Sequence, residues 1–206
     1  MNFKSKLKVG MGKAYEKLKY EMAKARGYEK CRLKGLKGYL KYSVSNKMMF
    51  EKVSNFDGEK EAIEYLIRNA KKEDIFYDIG ANFGLYTIPL SKYIKNGEVY
   101  PFEPVKKWFN LMVKNIYKNG VENVFPMRVA IDSKRNTKKI SFKNMYGSGM
   151  GGYKNNYKKR IKSGKVKKEK IRICKLDELV KMNVIPKPNL IKVDVEGSEL
   201  GVLKGE

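Results

Sequence analysis

The chain has 206 residues and a formal charge of +24, from 46 Lys and Arg against 22 Asp and Glu. That length suits one domain with a sizeable core. There is no histidine, which removes the commonest general base and the commonest zinc ligand.

Cys31 and Cys174 stand far apart with no Cys-x-x-Cys pair, and read as reduced thiols of a cytoplasmic protein. No apolar run reaches transmembrane length, and no signal-peptide apolar region follows the basic start. The charge is concentrated. Residues 1–41 carry 13 basic and 3 acidic side chains, and residues 153–175 carry 11 basic and one acidic. Such segments suit an anionic membrane surface, a lipid-linked phosphate or a nucleic acid, and equally suit solvated lysines. Nucleic acid is disfavoured, because no basic motif with interleaved aromatics is present.

In chain order, the first predicted element is a helix over 3–25, with Phe3, Leu7, Met11, Ala14, Leu18, Met22 and Ala25 on one stripe. A basic helix of this kind can lie on an anionic membrane. Packing against its own domain, or fraying at Gly10 and Gly12, is the expectation. Residues 36–56 alternate loosely around Tyr39, Tyr42, Val44, Phe50 and Val53, with Ser45-Asn46 as a hairpin turn. A helix over 59–70 follows, with Ala62, Ile63, Leu66, Ile67 and Ala70 inward and Asp57 as N-cap. The expected division is a basic helix and hairpin extension over 1–58, then a cofactor-binding domain over 59–206.

Residues 75–84, Ile-Phe-Tyr-Asp-Ile-Gly-Ala-Asn-Phe-Gly, are the centre of that domain. They predict a buried strand ending near Asp78, a tight turn between Gly80 and Gly84, and a helix from about Leu85 to Ile94 with an irregular start at Pro89. Open α/β sheets build cofactor sites this way. The Asp-x-Gly-x-x-x-Gly spacing differs from the Gly-x-Gly-x-x-Gly that seats a pyrophosphate. An acid at the strand end favours a cationic ligand without phosphate, and S-adenosylmethionine fits.

A second strand over 98–102 contains Pro101 and ends at Glu103, 25 residues after Asp78. Glu103 there suits a ribose diol, or else favours the N-terminus of the next helix. That helix covers 105–119, with Trp108, Leu111, Met112 and Ile116 inward and Asn119-Gly120 as its stop. Strands are expected at 124–131 and 138–143. Residues 145–175 read as irregular, with a mobile glycine loop, a solvated Lys-rich stretch over 158–170 and a short strand at Ile171–Ile173. A short helix opens at Leu176. The apolar strand 190–195 leads into Asp194-Val-Glu196-Gly-Ser-Glu199.

These blocks together resemble the FkbM-type methyltransferases, a branch of the class I S-adenosylmethionine-dependent methyltransferases. The residues carrying the likeness are Asp78-Ile-Gly-Ala-Asn-Phe-Gly84, Phe102-Glu-Pro104, Asn115, Asn119-Gly120, Leu176-Asp-Glu-Leu179 and Ile191-Lys-Val-Asp-Val-Glu-Gly-Ser-Glu199, followed by Val202-Leu-Lys-Gly205. It spans about residues 70–206.

The resemblance implies an α/β, Rossmann-like sheet and methyl transfer to a hydroxyl of a sugar, glycan or lipid-linked acceptor. Carried over by position, Asp78, Gly80, Asn82 and Gly84 hold the methionine part of the cofactor. Glu103 holds the ribose and Asp132 faces the adenine. Asp194 is the first choice as base and Glu196 the second, with helix N-terminal stabilisation as the alternative for Glu196. A carboxylate pair can also hold Mg²⁺, but two acids without a third ligand give no metal site to assign.

The family's sheet has seven strands in the order 3-2-1-4-5-7-6. Only strands 3-2-1-4 are found here, so the expectation is a C-terminally truncated sheet, or one completed by a partner chain. The competing readings are an inactive fragment of the fold and a basic nucleic-acid-binding methyltransferase.

Overall fold

The computed structural model describes residues 3–56, 58–133, 136–143, 166–195 and 197–204. Helix α1 (Phe3–Arg26) occupies the first predicted helix, but in its second half, where the side chains are described, the buried side is not the predicted stripe. Leu18 and Met22 are 59% and 51% exposed, whereas Ala23 is fully buried and Tyr20 packs edge-on against Phe50. The small Ala23 permits close approach, and the Tyr20 ring supplies the apolar area that the stripe does not.

Strand β1 (Tyr28–Cys31) pairs antiparallel with β2 (Leu40–Ser43). The expected hairpin turn at Ser45-Asn46 is instead the start of helix α2 (Lys47–Ser54). Asn46 Oδ1 accepts the Met49 N–H at 3.0 Å and caps the helix. Met49, Phe50 and Val53 then share one buried face. Their spacing is helical, and the loose alternation read for a strand concealed it. Helix α3 (Lys60–Asn69) buries Ile63 and Ile67 as expected, while Ala62 is exposed. The expected cap Asp57 lies outside the described residues, and Glu59 stands at the cap position without a side-chain hydrogen bond.

Strand β3 (Ile75–Ile79) is the centre of a parallel sheet. It pairs with β4 (Glu98–Phe102) on one side and with β8 (Leu190–Val193) on the other. The third expected strand runs along the far side of β4. Val124 and Met127 form parallel bridges to Val99 and Phe102, and the Met127 N–H donates to Pro101 O at 2.9 Å. Proline removes a donor from β4 but keeps this acceptor. The order 3-2-1-4 is therefore present, and the fold is a Rossmann-like α/β sheet. Among the described residues no strand pairs with the other edge of β8.

The third strand then leaves this sheet. Its end, β5 (Ala130–Ile131), pairs with β7 (Val166–Cys174), which pairs antiparallel with β6 (Asn136–Lys143). The short strand expected at Ile171–Ile173 is thus present but longer, running from Val166 to Cys174 and taking in the end of the Lys-rich stretch expected to be irregular. Ile171 and Ile173 point inward and are buried, while Arg172 between them points away and is exposed. The glycine loop expected around 147–152 lies outside the described residues.

Helices cover both faces. On one face Phe76, Ile88, Leu90 and Val99 join Ile63 and Ile67 in a cluster that also takes in Ala23, Tyr42, Phe50 and Phe56. On the other, Tyr77, Ile79, Tyr100 and Phe102 meet Leu176 of α6 (Leu176–Lys181) and Val202 of α7 (Glu199–Leu203). Helices α4 (Thr87–Tyr93) and α5 (Lys106–Asn119) complete the first layer. Asn115 and Asn119 tie α5 to β2. The Ser43 N–H donates to Asn115 Oδ1 at 2.8 Å and the Lys41 N–H to Asn119 Oδ1 at 2.9 Å. Asn119 Nδ2 returns a bond to Lys41 O at 2.7 Å. Gly120, at φ +57, ends α5 in the left-handed conformation, as expected.

Candidate active site

The site is built on the turn that follows β3. Gly80 adopts φ +80, and a Cβ there would stand 1.9 Å from the Asp194 carbonyl oxygen. Only glycine lets the ends of β3 and β8 converge so closely. The Gly80 and Ala81 N–H groups both donate to Phe102 O at 3.0 Å, fastening the turn to the end of β4. Asn82 is also left-handed, at φ +53, and its N–H donates to Glu103 Oε2 at 2.9 Å.

A cavity of about 360 Å³ opens where these strand ends meet. Such crevices at the carboxyl ends of parallel strands are where ligands bind in open α/β sheets. Of the residues expected from sequence, Gly80, Asn82, Glu103, Asp132 and Asp194 line it. Asp78 and Gly84 do not. Asp78 is completely buried behind the cavity, where its Oδ2 accepts from the Thr87 hydroxyl at 2.6 Å. Gly84, at φ +87, packs against Met112, whose Cγ would lie 3.2 Å from an added Cβ. Glu196 lies outside the described residues.

Glu103 forms one wall. Its Oε1 accepts the Val105 N–H at 2.8 Å while Oε2 takes that of Asn82. Burial nevertheless dominates and pushes its carboxyl up to about 7, against the lowering effect of those two bonds. Opposite, the Lys192 ammonium stands 3.1 Å from Asp78 Oδ1, 3.7 Å from Asp194 Oδ2 and 4.9 Å from the Tyr86 ring centre. It donates to Gly80 O at 3.1 Å. Its contact with Asp78 is ionic, since the geometry leaves Oδ1 without an aligned hydrogen bond. Asp194, by contrast, sits at the rim, with 60% of its side chain exposed. Asp132 bonds the Ser133 N–H at 2.7 Å and packs against Gly201.

The residues fit S-adenosylmethionine on one independent observation. Asn82 Oδ1 is buried at this cavity with no hydrogen-bond partner, an acceptor waiting for a donor such as an ammonium group.

Comparison with known proteins bears on the same stretch. Residues 78–206 match the model of the methyltransferase FkbM domain. The chain belongs to the FkbM methyltransferase family. It is 29% identical over 165 residues to a protein of Haloferax volcanii named hexuronic acid methyltransferase AglP. That match takes in 80% of this chain and 63% of the relative's length. Among solved structures it is similar to M. jannaschii TYW2 in complex with AdoMet, with 19% identity, a TM-score of 0.38, and coverage of 66% of this chain and 69% of that one. A precorrin-6y methyltransferase of Geobacter metallireducens shows 19% identity and a TM-score of 0.32, covering 34% of this chain and 38% of the other.

Among the cavity residues of this FkbM chain that escaped the sequence reading are Lys52, Glu59, Tyr86 and Lys192. Lys192 carried a usable signal, because a lysine inside the apolar strand Leu190–Val193 has to find an anion. Tyr86 and Glu59 carried none that separates them from surface residues. The Tyr86 hydroxyl donates to Glu59 Oε2, and burial, with that bond as the second cause, holds the phenol well above its ordinary range.

Proposed function

We propose that this chain is an S-adenosylmethionine-dependent O-methyltransferase acting on a hydroxyl of a sugar, glycan or lipid-linked acceptor. Family membership supports the reaction, and the name of the Haloferax relative supports a sugar-type acceptor. The observation that carries the reading is the cavity at the strand ends, with a buried carboxylate on one wall and the unpaired Asn82 Oδ1 in its lining.

The cofactor, when bound, supplies a methyl group activated on a sulfonium. Glu103 would hold the ribose hydroxyls, each carboxylate oxygen keeping a lone pair beyond its backbone bond. Gly80 and Asn82 would hold the methionine end and Asp132 would face the adenine. Asp78 acts from behind, by fixing Lys192 and Thr87. Displacement at a methyl group is helped mainly by alignment and exclusion of water, which a walled cavity supplies.

Asp194 would take the proton of the acceptor hydroxyl. It stands at the rim, where an acceptor can reach it, and Lys192 beside it limits its orientations. Glu196 is the second candidate for that role. A cytoplasmic location, an anionic membrane surface meeting the basic segments, and a partner chain on the free edge of β8 belong to the same proposal.

The test is to incubate the protein with methyl-labelled S-adenosylmethionine and fractionated glycans, lipids and RNA. Label in the glycan or glycolipid fraction, lost in Asp194→Asn, is the expected result. Label in RNA alone would favour the nucleic-acid alternative. Cofactor binding with no labelled fraction would favour the inactive-fragment reading.

A further inference from the structure

Helix α2 precedes the family-matched region, yet it puts Lys52 into the lining of the cavity. Lys52 is half-buried, and no ion pair or hydrogen bond reaches its ammonium among the described residues. A lysine of this kind lays its stem on the cavity wall and can turn its ammonium to an anion that enters. The other charged groups lining this cavity are Glu59, Glu103, Asp132, Asp194 and Lys192. Each of them already has a partner: Glu59 is held by Tyr86, Glu103 by two backbone N–H groups, Asp132 by Ser133, and Asp194 by Lys192. Lys52 is therefore the cation left over.

We propose that Lys52 binds a carboxylate in this cavity, together with Asn82 as acceptor for a neighbouring ammonium. This inference rests on the functional reading above and adds a residue from the N-terminal segment to it. The two groups want opposite things. The Lys52 ammonium lacks an anion and the buried Asn82 Oδ1 lacks a donor. An α-amino carboxylate supplies both at once. A phosphate suits the cavity less, because four carboxylates line it and a second negative charge would meet them. The carboxylate has two chemical sources, the amino-acid end of S-adenosylmethionine or an acidic sugar as acceptor.

The segment is well placed for such a role. The Tyr42 hydroxyl of β2 donates to Leu85 O at 3.0 Å, and Asn115 bridges the Ser43 N–H to Phe83 O. These bonds fasten the N-terminal segment to the turn that carries Asn82.

The experiment is calorimetric titration of the full chain, wild type, Lys52→Met and Lys52→Arg, with S-adenosylmethionine and with its decarboxylated form. Loss of one charge-assisted hydrogen bond predicts a weakening of roughly ten- to hundredfold for S-adenosylmethionine in Lys52→Met. The decarboxylated form should bind wild type and variant alike, and Lys52→Arg should recover most of the loss. That outcome places the cofactor's carboxylate on Lys52. Unchanged cofactor affinity, with a raised KM for a uronate acceptor and not for its neutral counterpart, places the acceptor's carboxylate there instead. Equal weakening of both cofactor forms, or no change in any of these quantities, overturns the assignment. Wild-type protein that binds neither form and transfers no methyl group refutes the functional reading beneath it.

Discussion

Replacing Glu103 by Gln should separate what this residue does for the fold from what it does for the ligand. Glu103 is 6% exposed, and burial raises its carboxyl from 4.5 to about 7. The folded protein therefore holds this proton over a pH range in which the unfolded chain releases it. Stability from Glu103 is complete below pH 4.5 and is lost as pH rises through about 7. The gap between those two values corresponds to about 3 kcal/mol. Gln resembles the protonated acid, so Glu103→Gln should leave stability nearly unchanged at pH 4.5. Above pH 8 it should be more stable than wild type, by at most about 3 kcal/mol. One of the two N–H groups that Glu103 accepts then faces an amide NH₂, which takes back about 1 kcal/mol. Urea unfolding of both proteins at intervals from pH 5 to 8.5 reads the difference. A carboxylate accepting ribose hydroxyls must be ionised to accept fully, so wild-type cofactor affinity should rise across the same interval and that of Glu103→Gln should stay flat. Parallel stability profiles for the two proteins would refute the claim that burial dominates the titration of this carboxyl.

Three further outcomes follow from the same geometry. Gly80→Ala places a Cβ 1.9 Å from the Asp194 carbonyl at φ +80, and should cost at least about 3 kcal/mol in urea unfolding, or prevent folding. Lys192→Met leaves the buried Asp78 unpaired and should cost about 3–5 kcal/mol, of which the double variant Lys192→Met/Asp78→Asn recovers a large part. Asn115→Ala orphans the Ser43 N–H and Phe83 O together and should cost about 2–4 kcal/mol, with faster hydrogen exchange at Ser43 as its local signature.

The sheet was legible because its strands carry their own marks. Ile75–Ile79, Glu98–Phe102 and Leu190–Val193 are short apolar runs bounded by glycine, proline or acid, and each was placed to within a residue or two. The N-terminal half was less legible. Strand β1, Tyr-Glu-Lys-Cys, alternates too weakly to stand out, and exists because β2 gives it a partner. Helix α2 was hidden by its cap, since Ser45-Asn46 suits a turn as well as a helix start. Strand β7 was read only at Ile171–Ile173, and its Lys-rich start was hidden by composition, because lysines are uncommon in strands unless the other face is covered. At the site, Gly80, Asn82 and Glu103, which sequence spacing singled out for a cofactor, do line the cavity, while Gly84 of the same turn does not. It could not reveal that Asp78 stands one layer behind. A strand-end acid that faces a ligand and one that faces a helix differ by a single step of alternation, and Asp78 shares its face with Phe76, toward Thr87 of α4.

The same alternation explains why the site draws on the N-terminal segment. Phe76 and Asp78 face the layer that holds α4, and the cluster on that face continues through Phe83 and Leu85 into Tyr42, Phe50 and Phe56. The turn over residues 82–86 is thus covered by β2 and by the α2–α3 connection. It is held there by Tyr42 on Leu85, by Asn115 on Phe83 and by Glu59 on Tyr86. A turn with two left-handed residues, Asn82 and Gly84, gains little from regular hydrogen bonding of its own. Its shape is set by what packs on it. The residues that best define the cofactor motif are therefore positioned in part by residues before 60, a dependence that no local spacing within 78–206 can express.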